Sequence, residues 1–194
     1  MKLVALATLA ALIGVTSAAS AGRTEMVEGN PASPVRVTIY EDLACPDCAR
    51  FRIMLDEKIL PKYGKRVAFV HRDFPLGKHE WARLAAVAGR WTWEQSPAIG
   101  VVYRQELYAE QDHVTAASLK RWLQTFAGRH DLDEKKIVTA LDDTGLRARV
   151  DSDLQGGNGR GVTKVPAVFL GTQSFVENIQ YEDLARAIDE ALER

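Results

Sequence analysis

The sequence predicts an α/β fold interrupted by a helical block, on three observations. Residues 35–72 read as strand, helix, strand. About 80 residues then keep helical spacing, with no strand signal among them. Short apolar strands return after Pro166 and lead into a closing amphipathic helix. The chain has 194 residues, 46% of them hydrophobic and 26% charged, which excludes collagen-like, low-complexity and disordered classes. The net charge of −1 gives no basic excess to attract nucleic acid or anionic lipid. Two cysteines are too few for a disulfide-dense scaffold.

Residues 1–21 carry Lys2, an apolar run from Leu3 to Val15, and then Ala19-Ser20-Ala21. That is the pattern of a secretory signal peptide cut before Gly22. The apolar run is shorter than the ~20 residues needed to span a bilayer, and no later stretch reaches that length, so no membrane insertion of the mature chain is expected. Residues 22–34 are polar with Pro31 and Pro34, and read as an N-terminal arm.

The alternating, β-branched run Val35–Tyr40 predicts a strand. From Pro46, the spacing of Phe51, Leu55 and Ile59 predicts a helix ended by Pro61 and Gly64. Arg66–Arg72 predicts the second strand. Trp81, Leu84, Ala85, Ala88 and Trp91 open the helical block. Ser96-Pro97 is an N-cap followed by proline at the first helical position. Leu119–Phe126 is a further stripe, with two more helices near 133–142 and 144–154. Trp81, Trp91, Trp93 and Trp122 all fall in this block and read as core. Gly156-Gly157-Asn158-Gly159 reads as a hinge-like break. Ala167–Leu170, Ser174–Glu177 and the Leu184, Ile188, Leu192 stripe complete the chain.

Cys45-Pro46-Asp47-Cys48 admits three readings. A structural disulfide closing so short a loop contributes only about 2 kcal/mol. Half a zinc site needs two more ligands, and His71, His79, His113 and His130 form no metal-type pair in sequence. The third reading is a redox dithiol. A C-x-x-C pair after a strand and opening a helix puts its first sulfur at the helix N-terminus, where unpaired amides and the dipole favour a thiolate. Pro46 suits that first turn because its missing N–H has no partner there anyway. On this reading Cys45 is exposed and attacks, and Cys48, a turn along, resolves the mixed disulfide.

The chain here resembles the DsbA-like branch of the thioredoxin superfamily, over about 35–194. The resemblance is carried by Asp42-Leu43-Ala44-Cys45-Pro46-Asp47-Cys48, by Arg72-Asp73-Phe74-Pro75-Leu76 with His79, and by Gly161-Val162-Thr163-Lys164-Val165-Pro166. It implies a thioredoxin-like fold with an inserted helical domain: first half 35–77, insert 78–155, second half 156–194. It implies that Cys45 is the nucleophile and Cys48 the resolving cysteine, supported by Pro46 and Asp47. It implies that Pro166 is the cis-proline facing them, and that Val165 presents its backbone to an extended peptide. No metal and no cofactor beyond the Cys45–Cys48 disulfide are expected.

The implied activity is thiol–disulfide exchange on cysteine-containing exported proteins in a periplasm-like space, with a redox-recycling partner for which a membrane protein is one candidate. Val165, where isomerases commonly have Thr, favours oxidation. A reductase or isomerase, or a non-catalytic binding protein on the same scaffold, is the alternative.

Two departures from the pattern matter. Ile39 stands where the family often has an acid, while Glu41 and Asp42 read as solvated loop acids. Asp47 stands where strongly oxidising relatives have His. Its charge should keep the Cys45 pKa above theirs and the disulfide less oxidising, and an Asp47→His change should lower it. His79 reads as a helix-start or packing residue.

Overall fold

A computed structural model describes residues 25–194. The segment read as a signal peptide, 1–21, lies outside the described residues. Among the described residues no helix is long and apolar enough to cross a membrane.

Five strands form one sheet in the order β1-β3-β2-β4-β5, with β1 Met26–Gly29, β2 Arg36–Glu41, β3 Ala68–Asp73, β4 Ala167–Leu170 and β5 Gln173–Val176. β2 and β3 run parallel; the other pairs are antiparallel. The predicted strand–helix–strand and strand–strand–helix units are therefore both present, joined through β2 and β4 at the sheet centre. β1 is a correction to the sequence reading, which made 22–34 an arm. Met26–Gly29 pairs with His71–Ala68 and extends the sheet. So short a strand is stabilised by its neighbour rather than by its own pattern.

α1 (Pro46–Met54) continues through a π-helical stretch, Leu55–Ile59, into α2 (Leu60–Tyr63). Of the expected stops Pro61 and Gly64, Gly64 is the C-cap and Pro61 lies inside the helix. A proline ring clashes with the carbonyl four residues back, and the wider π turn, in which the Leu60 amide donates to the Leu55 carbonyl, relieves that crowding. The apolar stripe of this segment (Phe51, Leu55 and Ile59) packs with Tyr63 and with Val37, Ile39, Phe69 and Val168 from the sheet. Leu184 and Ile188 of α8 (Tyr181–Leu192) join the same cluster.

Between β3 and β4 lie α3 (Ala82–Gln95), α4 (Pro97–Glu110), α5 (Leu119–Arg129), α6 (Glu134–Thr139) and α7 (Thr144–Gly159). The Ser96 cap is as predicted: its hydroxyl accepts the Ile99 amide at 3.1 Å. Trp93 is buried, while Trp81, Trp91 and Trp122 are partly buried against the same helical core. The glycine tract is a second correction. It is the last turn of α7, not a hinge. Gly157 is needed there because a Cβ would sit 2.6 Å from the Phe74 ring and 3.0 Å from Tyr40.

A candidate dithiol site at the N-terminus of α1

β2 delivers Glu41 and Asp42 to the sheet end, and Cys45 follows as the N-cap of α1, with Pro46 at the first helical position. The helix thus opens with amides that have no carbonyl partner in the preceding turn. Cys45 is 6% exposed, more covered than the sequence reading had it, because the Val165–Pro166 segment lies across it. Its thiol donates to the Val165 carbonyl at 3.8 Å, and the Val165–Pro166 peptide bond is cis. The two motifs, 120 positions apart, are therefore brought together.

Cys48 is fully buried, and the Asp42 amide donates to its sulfur at 3.5 Å. The two thiols differ sharply. Hydrogen bonding from the Cys48 side chain, helped by the Cys48 backbone amide and the His79 charge, brings Cys45 down to about 6, against burial and the Asp42 carboxylate. Burial pushes Cys48 well up, and its contact with Cys45 and the nearby Glu41 charge add to that. The sequence argument predicted a value above that of the strong oxidants, but through Asp47. In the structure Asp47 pairs with Arg50 on the surface of α1, and the acid that raises the Cys45 thiol is Asp42.

A groove of about 400 Å³ runs past Cys45, lined by Leu76, Lys78, Lys164, Val165 and Glu177 among others. Glu177 closes one side. Its backbone is left-handed (φ 62°), its amide donates to the Pro166 carbonyl at 2.9 Å, and its carboxylate pairs with Lys164 at 2.9 Å. These contacts tie the segment before β4 to the end of β5, leaving one wall of the groove as rigid backbone.

Glu41 and Asp42 overturn their sequence reading: both are buried, at 3% and 1% exposure. Asp42 accepts the Ala44 and Leu76 amides, each at 2.7 Å, and faces His79 Nδ1 at 2.8 Å. Glu41 lies on the α1 face of the sheet with His71 and Asp73, one residue-pair step from Ile39. It meets His71 Nδ1 at 2.5 Å, Arg104 at 2.9 Å and the Tyr108 hydroxyl at 2.8 Å. Arg104, from α4, also bonds Asp73 at 2.7 Å. Asp73 in turn holds Arg90 at 2.6 Å. His71 pairs on its other side with Glu28 of β1, which also binds Arg52 of α1. Arg104 sits one residue after Tyr103 on a helix whose apolar spacing conceals it. Only its distance in sequence from Glu41 and Asp73 kept the cluster from being read.

The fold and the site define a thioredoxin-like protein with a cysteine pair at the first helix of the sheet. The family model described as thioredoxin matches residues 21–190, and the chain belongs to that family. Among solved structures it is similar to BdbD from Bacillus subtilis in its oxidised form, at 19% identity and a TM-score of 0.78, over 88% of this chain and 94% of that one. It is also similar to the thiol-disulfide exchange protein alpha-DsbA2 from Wolbachia pipientis, at 17% identity and a TM-score of 0.75, over 87% and 88% of the two chains. A curated relative, the Na(+)/H(+) antiporter NhaA 1 of Salinispora arenicola, is 27% identical over 168 residues. That match takes in 85% of this chain, which spans about a quarter (24%) of the antiporter's length.

Proposed function

We propose that the protein is an exported thiol–disulfide oxidoreductase that acts as a DsbA-like oxidase of cysteine-containing proteins through Cys45 and Cys48. The observation that carries this reading is the asymmetry of the two sulfurs. One is held near pKa 6 beside the Val165 carbonyl, and the other is buried behind it with its pKa raised. In the oxidised protein a substrate thiolate attacks the Cys45 sulfur. The Cys45–Cys48 bond breaks, and Cys48 leaves as a thiolate that takes up a proton. A second substrate thiolate then attacks the substrate sulfur of the mixed disulfide. This forms the substrate disulfide and expels Cys45 with the electron pair. A low-pKa sulfur is the better leaving group, so release of Cys45 is the favoured outcome.

Val165 would align an extended substrate by its backbone, with Pro166, Pro46 and Asp47 framing the cysteine. The dithiol so formed needs reoxidation, which on this reading falls to a recycling partner such as a membrane protein. The division into halves 35–77 and 156–194 with an insert at 78–155, and the leader at 1–21, belong to the same proposal. The likeness to exchange proteins of the same fold and the Val at position 165 support it.

The test is a Cys48→Ser variant incubated with disulfide-containing exported proteins, so that the Cys45 thiolate attacks a substrate disulfide and expels one substrate thiolate. A mixed disulfide through Cys45, released by dithiothreitol, is expected. A native disulfide that dithiothreitol does not reduce, with no trapped species, would instead mark a non-catalytic binding protein. Equilibration with glutathione fixes direction: a potential more oxidising than about −200 mV fits an oxidase, and one near that of thioredoxin (about −270 mV) fits a reductase.

A further inference from the structure

Next to the dithiol lies a second pair of titratable groups that the exchange step itself does not use. The Asp42 carboxylate is buried, accepts the Ala44 and Leu76 amides, and lies 2.8 Å from His79 Nδ1. That contact orients the imidazole, whose side chain is 18% exposed. The same Asp42 bonds the Cys48 sulfur through its amide and the Ala44 amide, one residue before Cys45, through Oδ1.

We propose that His79, held against Asp42, is a positioning residue that offsets the Asp42 charge beside Cys45 and so adjusts the redox potential of the dithiol. The inference rests on the redox reading above and adds the group that tunes it. A buried carboxylate this close to a thiolate disfavours it, and a cation on that carboxylate cancels the effect. With His79 charged, the pair is neutral toward Cys45. With His79 neutral, the pair presents a full negative charge. The other charged or titratable groups around the pair are Cys45 and Cys48 on α1, Glu41 at the end of β2, and the sequence neighbours Lys78 and Glu80. Asp47 on α1 is engaged by Arg50. Behind the hydrogen bonds from Cys48 and the effect of burial, the Asp42 charge raises the Cys45 thiol and the His79 charge lowers it.

The test compares His79→Gln, which keeps a donor for Asp42 but carries no charge, with His79→Lys, which restores a permanent cation. The readouts are the pH midpoint of Cys45 alkylation by iodoacetamide and the equilibrium with glutathione. The Gln variant should raise the midpoint by about half to one unit and make the disulfide less oxidising, while the Lys variant returns both to or below the starting values. A shift below about 0.2 unit in the Gln variant, a downward shift, or the same shift in both variants overturns the proposal. If the unaltered protein shows no equilibrium with glutathione at all, the redox reading itself has failed, a result distinct from these.

Discussion

Arg104→Met removes a fully buried cation from the ion cluster at the sheet's end and leaves a side chain of similar reach in its place. Arg104 is 0% exposed and holds Glu41 at 2.9 Å and Asp73 at 2.7 Å, both buried. Removing one partner of a buried pair costs about 3–5 kcal/mol, because the remaining charge stays buried without its counter-ion. Here His71 and Tyr108 still hold Glu41, and Arg90 still holds Asp73, so the lower end, about 3 kcal/mol, is expected. For a chain of this size that is a fall in Tm of about 6–12 °C.

The assay is urea unfolding followed by tryptophan fluorescence, since Trp93 is buried and lies 6.2 Å, ring to ring, from His71. Arg83→Met is the control. Its pair with Asp151 is exposed, at 44% and 43%, and such pairs contribute about 1 kcal/mol or less. An Arg104→Met loss within about 1 kcal/mol of the control would refute the reasoning that the cluster is balanced charge by charge.

Acid should unfold the protein through the same cluster. Burial alone would raise Glu28 and Glu41, but His71 and Arg52 for the first, and Arg104 and His71 for the second, outweigh it and hold both below the usual range. Their contribution is complete above about pH 4.3, the unfolded value, and is lost as pH falls through the folded values. A Glu41→Gln variant that keeps the full acid slope of the urea midpoint speaks against this. His71 has the opposite sign. Burial would lower it, but Glu41 and Glu28 prevail and raise it, so its contribution is complete below about pH 6.5 and fades as pH rises past its folded value.

Gly157→Ala should cost about 1–3 kcal/mol by overpacking against Phe74, despite alanine's better helix propensity. Gly159→Ala, with nothing within 4 Å of the new carbon, should be neutral or stabilising; equal urea midpoints for the two variants would contradict the packing argument. Asp47→Asn should lower the Cys45 alkylation midpoint by less than about half a unit, because its carboxylate is exposed and paired with Arg50. A drop of a full unit would restore the sequence-based role of Asp47.

The elements with strong local signals were legible. Val35–Tyr40 alternates, Ser96-Pro97 caps a helix by its own chemistry, and Cys45-Pro46-Asp47-Cys48 follows a strand and opens a helix, as its residues imply. What failed depended on partners far away in the chain. Met26–Gly29 is a strand only because β3 offers an open edge. Pro61 passes through a helix because the preceding stretch widens to a π turn. Gly156-Gly157-Asn158-Gly159 looks like a break until Phe74 and Tyr40 supply the rings that exclude a side chain. Glu41-Asp42 looks solvated because acids at a strand end usually are. Their burial follows from Arg104, His71 and His79, none of which local pattern can pair with them.

The close approach of α7 to Phe74 has a consequence for the setting of Cys45. Phe74 leads through Pro75 into Leu76, whose amide holds Asp42, so α7 braces the segment beside Cys45. A shift of α7 would unpack that aromatic seat and release the clamp. A substitution at position 157 should therefore be felt at Cys45 as well as in stability, through Phe74, Leu76 and Asp42.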